Sequence, residues 1–298
     1  MNKIKILLTG GSGFIGRNII EQRENIYDII APSHKELDLF NTEEVDKFFK
    51  NNNIDIVLHC ASIGGLRSNL NLDGVIRNNL RIFFNIVRNK NKFGKMINLG
   101  SGAEYDKSKD IKKVEETDFD KSIPNDDYGF YKYICSKYIE NTTNVYYLRL
   151  FGIFGKYEDY KVKFISNLIC KYILKQPLQM IQDAYFDYID IDDFIKILDY
   201  FIIKTPQYKF YNIGTGKRTS LSSIAGMINK LDTYSLEIKI KKKGLNKEYT
   251  CSNKRLISEL KTFGFTALES SIKKLYDFYR LNIRDIDKKI ILEDKYNK

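Results

Sequence analysis

The chain has no tryptophan and, in 298 residues, only four cysteines, two histidines and four prolines. The cysteines, Cys60, Cys135, Cys170 and Cys251, are scattered without Cys-x-x-Cys spacing. That argues against a zinc ribbon and against a disulfide framework, and leads to reduced thiols in a cytoplasmic protein. With His34 and His59 as its only histidines, the chain lacks the makings of a histidine-based metal site, and no metal is expected. No apolar run approaches ~18 residues, so no membrane partner is expected. The apolar start at residues 4–8 ends at once in Thr9-Gly10-Gly11 with no small-residue cleavage site after it, so it reads as a buried strand rather than a signal peptide. The net charge is +11, yet no aromatic-interleaved basic ribbon accompanies it, and nucleic acid is not an expected partner. An anionic small molecule or a merely lysine-rich composition accounts for the charge.

What is present is alternation. Residues 4–8, 27–31, 54–60, 95–99 and 145–150 read as buried strands. Helical patterns fill the gaps at 14–24, 42–51, 73–88 and 127–141, the second opening on a capping-box pattern, Asn41-Thr42-Glu43-Glu44. Strand–helix alternation of this kind predicts an α/β protein with a Rossmann-type, doubly wound parallel sheet over residues 1–150. Residues 186–213 are expected to return to that domain, leaving 151–185 and 214–298 as a smaller C-terminal α/β substrate lobe. Lys239 to Lys243 read as a solvated edge strand, and the charged tail after Asp285 as frayed.

Thr9-Gly10-Gly11-Ser12-Gly13-Phe14-Ile15-Gly16 follows the first strand and opens the first helix. Gly10 permits the tight turn, Gly13 lets backbone amides approach a pyrophosphate, and Gly16 lets the helix pack on the sheet. The reading is dinucleotide binding, with Phe14 and Ile15 at the helix start. After the second strand comes Ala31-Pro32-Ser33-His34-Lys35-Glu36, with no acid at the strand tip, where NAD enzymes usually place one. A hydroxyl and basic groups at that point suit a 2′-phosphate, so the expected cofactor is NADP(H), with NAD as the alternative. Far downstream, Tyr128 and Lys132 stand four residues apart, one helical turn. An ammonium beside a phenol favours the phenolate, so Lys132 is expected to lower the Tyr128 pKa and fit it for proton transfer coupled to hydride transfer. Taken alone, the Tyr-x-x-x-Lys spacing is weak in a chain with 21 tyrosines.

The glycine loop, the Tyr128/Lys132 pair and Ser101 upstream together resemble the extended short-chain dehydrogenase/reductase family, whose members act mostly on nucleotide sugars. The likeness runs through Leu99-Gly100-Ser101-Gly102-Ala103-Glu104-Tyr105, Arg149-Leu150-Phe151-Gly152-Ile153-Phe154-Gly155, the segment from Asp187 to Asp193, and Tyr211-Asn212-Ile213-Gly214-Thr215-Gly216. Within it the chain is most similar to the GDP-L-fucose synthases, through Glu36-Leu37-Asp38-Leu39, Phe48-Phe49, Ile54-Asp55 and the double glycine of Ala61-Ser62-Ile63-Gly64-Gly65. The resemblance implies Ser101, Tyr128 and Lys132 as catalytic residues. It implies a cofactor bed of Gly10, Gly13, Phe14, Ile15, Gly16, Ser33, His34, Asp38, Leu39, Cys60, Ala61, Ser62, Asn79, Leu99, Tyr128, Lys132, Phe151 and Ile153. It also implies a nucleotide-diphosphate sugar as substrate and a homodimer. Cys60 by itself reads more simply as core than as a catalytic group.

The departures are equally specific. Those synthases carry a cysteine two residues after the serine as the epimerisation base; this chain has Ala103, which cannot exchange protons. Their acid histidine corresponds approximately to Lys163, and an arginine of the diphosphate site is replaced by Phe186. The Asp-Glu that follows the serine or threonine in the family's dehydratases is here Gly102-Ala103. The resemblance therefore implies an NADPH-dependent reductase of the C4 ketone of a nucleotide-linked, GDP-type 4-keto-6-deoxy hexose or heptose, without the C3/C5 epimerase step. The alternative is a nucleotide-sugar 4-epimerase with tightly bound NAD, which uses the same serine, tyrosine and lysine.

Overall fold

The computed structural model describes residues 3–65 and 72–294. In chain order the N-terminal elements are β1 (Lys5–Thr9), α1 (Phe14–Arg23), β2 (Asp28–Ile30), α2 (Thr42–Asn51), β3 (Ile54–His59), α3 (Val75–Val87), β4 (Phe93–Ser101), β5 (Ile111–Val114), α4 (Asp127–Ile139) and β6 (Val145–Leu150). There follow β7 (Gly152–Phe154), α5 (Phe164–Ile173), β8 (Leu178–Asp183), β9 (Tyr185–Phe186), β10 (Tyr188–Asp190), α6 (Ile191–Ile203) and β11 (Phe210–Ile213). The chain ends in β12 (Thr219–Ser220), α7 (Leu221–Ile228), β13 (Ile238–Leu245), β14 (Tyr249–Cys251), α8 (Lys254–Leu260), α9 (Leu268–Leu281) and α10 (Lys288–Glu293).

The main sheet has six parallel strands in the order β11-β6-β4-β3-β1-β2. Its strands are apolar on both faces because helices cover both. One face buries Ile19 of α1 and Ile195, Leu198 and Phe201 of α6. The other buries Val45 and Phe49 of α2, Phe83 and Ile86 of α3, and Tyr131, Cys135 and Ile139 of α4. α2 begins where its sequence says it should: the Asn41 side chain accepts from the N–H groups of Glu43 and Glu44. Strand order reverses at β1, and in such sheets ligands sit beyond the carboxyl ends of the strands at that point. The glycine loop, Cys60 and Ser101 all leave the sheet at those ends.

A second core gathers Leu168 and Tyr172 of α5, Ile224 and Ile228 of α7, and Ile272 and Tyr276 of α9. Beside it lies a four-stranded sheet, β12-β9-β14-β5, and a β13-β8 pair. β5, from the first half of the chain, pairs with β14 from the last quarter, so the sheet spans the two cores. β13 is exposed throughout and pairs only with β8, as its lysine-rich sequence suggests. The expectation of a frayed tail is corrected. α10 folds back on α5, with Ile291 buried and Asp294 2.7 Å from Lys171. Ile291, buried inside the charged stretch, supplies the apolar contact that net charge does not reveal.

Glu158, after β7, is buried against the Ser166 hydroxyl, which donates to it. Burial raises its pKa to about 7, although the Lys163 charge and the Ser166 hydrogen bond act the other way. Between its ordinary pKa and about 7, the folded chain therefore holds a proton that the unfolded chain has released. The resulting stability is complete at low pH and is lost as pH rises through about 7, an effect of roughly 3 kcal/mol. Urea midpoints taken at about pH 5 and about pH 8 should fall more for the wild type than for Glu158→Gln; equal falls would remove Glu158 as the cause.

Candidate active site

β1 runs into the glycine loop, and Gly13 caps α1 without a side-chain hydrogen bond and with no acid in the first turn. A Cβ on Gly16 would land on the carbonyl oxygen of Gly10, so loop and helix lie in backbone contact. The first N–H groups of α1, at Phe14 and Ile15, are thus left to an anion approaching the loop, which is what a pyrophosphate requires. Here a dinucleotide fits.

The loop after β2 carries Ser33 and His34 as expected, but it also carries an acid. Glu36 folds back so that its carboxylate accepts the Ser33 N–H at 2.7 Å. His34 Nδ1 lies 3.6 Å from Asp38, and Asp38 itself accepts the Phe40 N–H at 2.9 Å. The Leu39 carbonyl accepts from Asn85. The absence of an acid on the strand tip, read from sequence, therefore does not mean the absence of a carboxylate from the loop.

β3 delivers Cys60, Ala61 and Ser62. Thr9 Oγ1 lies 2.7 Å from His59 Nδ1 and accepts from the Ala61 N–H at 3.3 Å, tying this segment to β1. Burial, helped by the Lys132 charge, pushes His59 down to about 3, so the ring is neutral. Burial pushes the Cys60 thiol up to about 12, so the thiol is inert at neutral pH and packs on the core. The Ser62 and Tyr131 hydroxyls are hydrogen-bonded. Asn79 is buried in α3, and its amide is spent on Ile63 N–H, Ile63 C=O and the Val75 carbonyl at 2.7–2.8 Å. It acts by holding the 63–65 turn in place. Gly65 has φ +84°, and a Cβ there would come within 2.5 Å of the Tyr128 ring. The double glycine is what lets this turn lie against the tyrosine.

The three central residues converge as expected. Ser101 closes β4, and Tyr128 and Lys132 come from the first two turns of α4, which Asp126 caps by accepting the Gly129 N–H. Lys132 is buried, donates to the Leu99 carbonyl at 2.5 Å, and lies 5.9 Å from the centre of the Tyr128 ring. The Lys132 charge acts on Tyr128 in the expected direction, lowering its pKa, but in the protein without cofactor burial outweighs it. Burial pushes the phenol up to about 12, while the Lys132 charge and the Ser101 hydrogen bond only partly offset it. Tyr128 is thus a held proton donor in the protein by itself.

Behind Ser101 lies a group that was in the sequence as Ser-x-x-Glu, a capping box, but was not read as one. Glu104 accepts the Ser101 N–H at 2.9 Å, and it is ion-paired to Arg149 at 2.9 Å with both side chains essentially without exposure. Ser136 of α4 donates to Glu104 at 2.6 Å and accepts from Arg149 at 3.1 Å. The guanidinium carbon sits 4.5 Å and 4.8 Å from the ring centres of Phe119 and Phe210.

The far wall was missed entirely. Tyr249 of β14 brings its hydroxyl 3.4 Å from Ser101 Oγ and its ring 5.0 Å from that of the buried Phe151. Phe186 stands where the resemblance expected an arginine, with its ring 5.7 Å from Tyr249. Ala103 is 2% exposed and adds no titratable group. Ile153 lies in β7, paired with Ile189 and packed on the main core. Lys163 caps α5 in the second lobe, where its charge acts on Glu158.

Residues 6–214 match the family model described as "NAD dependent epimerase/dehydratase family". The chain is 26% identical to a GDP-L-colitose synthase of Yersinia pseudotuberculosis over 95% of its own length and 100% of that protein. In fold it is similar to a UDP-glucose 4-epimerase of Thermotoga maritima, with a TM-score of 0.80, 18% identity and coverage of 94% and 99% of the two chains. It is similar likewise to a GDP-L-fucose synthetase of Naegleria fowleri bound to NADP, with a TM-score of 0.80, 16% identity and 97% of each chain covered.

Replacing Arg149 by leucine leaves the buried Glu104 without its counter-charge, and should cost about 3–5 kcal/mol in chemical denaturation. Glu104→Leu with Arg149→Leu together should recover much of that loss. A single variant as stable as the wild type would show that the pair does not hold this corner.

Proposed function

This chain belongs to the NAD dependent epimerase/dehydratase family, and we propose that it reduces the C4 ketone of a nucleotide-linked 4-keto-6-deoxy sugar with NADPH. The substrate is a GDP-linked hexose or heptose, and the reaction proceeds without epimerisation at C3 or C5. One observation carries the reading: Ser101, Tyr128 and Lys132 converge, while the position two residues beyond the serine holds only the methyl group of buried Ala103.

A reduced nicotinamide cofactor, which the glycine loop at Gly10–Gly16 and Lys132 would hold, would supply a hydride to C4. The chain's own residues do the rest. Ser101 Oγ–H hydrogen-bonds the ketone oxygen and polarises it. Tyr128, held protonated by burial, gives its proton to that oxygen as the carbonyl becomes an alcohol. Lys132 holds the cofactor ribose, and its charge stabilises the phenolate that remains. Ketone, hydride and proton balance to the alcohol. The fully protonated resting Tyr128 suits reduction, whose first demand on it is a proton. Abstracting a proton from C3 or C5 needs a base on the sugar's other carbons, and Ala103 provides none.

Ser33 and His34 support NADPH, through the 2′-phosphate they could meet. The Glu36 carboxylate at the same loop favours the second reading, a 4-epimerase with retained NAD, since a carboxylate suits ribose hydroxyls. The two readings separate on cofactor bookkeeping.

NADPH oxidation at about 340 nm should follow addition of a GDP-4-keto-6-deoxy sugar, and product formed in deuterated water should carry no deuterium at C3 or C5 by NMR. Deuterium at either carbon would overturn the loss of epimerisation. NAD retained through purification, with no net consumption, would establish the 4-epimerase instead. Tyr128→Phe should lower kcat by about 10²–10⁴ while NADPH binding persists.

A further inference from the structure

Ser101 has one proton to donate and two lone pairs that can accept. Which way that proton points decides whether the serine can polarise a substrate oxygen. One lone pair is taken by the Ala103 N–H at 3.1 Å. The hydroxyl of Tyr249, delivered by β14, lies 3.4 Å from Ser101 Oγ.

The space for that hydroxyl is built into the sequence. A Cβ on Gly102 would lie 2.7 Å from the Tyr249 hydroxyl and 2.8 Å from the Phe151 ring, so any larger residue there would push the two apart. Tyr249 is also held from behind, by Phe151 and Phe186 at 5.0 and 5.7 Å between ring centres. Its neighbours on the strand are fixed as well: Glu248 accepts from Thr250 and from Arg218. The hydroxyl is therefore aimed at Ser101 by a packed frame.

We propose that Tyr249 is a positioning residue: its hydroxyl donates to the second lone pair of Ser101 Oγ and so keeps the serine's own proton directed to the Tyr128 side, to the phenol oxygen when no substrate is bound and to the reacting oxygen when one is. Burial raises the Tyr249 pKa, which keeps its proton in place to be donated. A chain then runs Tyr249 to Ser101 to Tyr128, each hydroxyl polarising the next. The proposal rests on the assignment of Ser101 and Tyr128 as reacting groups, and holds for the reductase and the 4-epimerase alike.

The opposite polarity, Ser101 donating to Tyr249, would draw the proton away from the reacting oxygen, and the two can be told apart by sign. A 3,5-difluorotyrosine placed at position 128 reports its own ionisation through the 19F shift, with or without turnover. Lys132, Lys107, Tyr131 and Glu104, the charged and titratable groups that act on Tyr128 besides Tyr249 itself, are untouched by Tyr249→Phe. If Tyr249 donates, Tyr249→Phe raises the midpoint at 128, because Ser101 becomes a poorer donor to the phenolate. A midpoint that falls or stays still overturns the proposal.

In activity, Tyr249→Phe should lower kcat about tenfold with the dissociation constant for NADPH unchanged. The same substitution in a Ser101→Ala background should cost nothing further. An equal cost in both backgrounds would make Tyr249 a packing or substrate-contacting residue, and would also overturn the proposal. A protein that oxidises no NADPH with any keto sugar removes the reductase reading, yet leaves the titration at position 128 to decide the role of Tyr249.

Discussion

The pairing of Glu104 with Arg149 is the constraint on which the rest of the site depends. Two charges buried together cost several kcal/mol each in lost hydration, and their attraction offsets that only when the remaining donors and acceptors are filled. Here the carboxylate also takes the Ser101 N–H and the Ser136 hydroxyl, whereas the buried Nη1 of Arg149 has no hydrogen-bond partner among the described residues and the guanidinium is closed in by the rings of Phe119 and Phe210. The geometry is consequential because of what the partners belong to. Ser101 ends β4, Ser136 lies two turns along α4 from Tyr128, and Arg149 sits in β6. One buried pair therefore fixes the serine's strand, the tyrosine's helix and the neighbouring strand relative to one another, at the end of the sheet where the chemistry is placed.

The same burial decides the electrostatics of the tyrosine. One turn of helix brings Lys132 near Tyr128, and counting charges alone gives a lowered pKa. Low dielectric surroundings act on the phenolate before the lysine does, and in the protein itself they win. The lysine's ammonium is in any case directed at the Leu99 carbonyl, with the phenol ring nearly 6 Å away. Its charge acts at a distance, through the medium, and is best placed to matter when a negative charge develops on the tyrosine oxygen.

How much of this could be read in the sequence follows from range. The glycine loop, the one-turn spacing of Tyr128 and Lys132, and the alternation that gives the six-stranded sheet are local signals, and each corresponds to a local geometry. Glu104 was legible too, as the fourth residue of a capping box, but its ion pair crosses 45 residues and no spacing rule reaches that far. Tyr249 lies 148 residues from Ser101, on a three-residue strand whose neighbours show no alternation to mark it. The lysine-rich β13 was legible because a strand exposed on both faces needs no partner to explain its composition. α10 was not, because a single buried isoleucine among charges docks it.

What surrounds the serine bears on which reactions the site can perform. An enzyme that moves protons at several carbons of a sugar needs titratable groups at several places around the ring. Among the described residues, the wall beside Ser101 includes Ala103, Phe151 and Tyr249, with Phe186 behind Tyr249, hydrocarbon and aromatic surface with one hydroxyl. Gly102, squeezed between the Tyr249 hydroxyl and the Phe151 ring, cannot be exchanged for an acid without displacing that wall. At Gly102, among the described residues, the space a longer side chain would occupy is already filled. In the reaction proposed above, Ser101 and Tyr128 need serve only one oxygen and the carbon that bears it, a task such a wall suits.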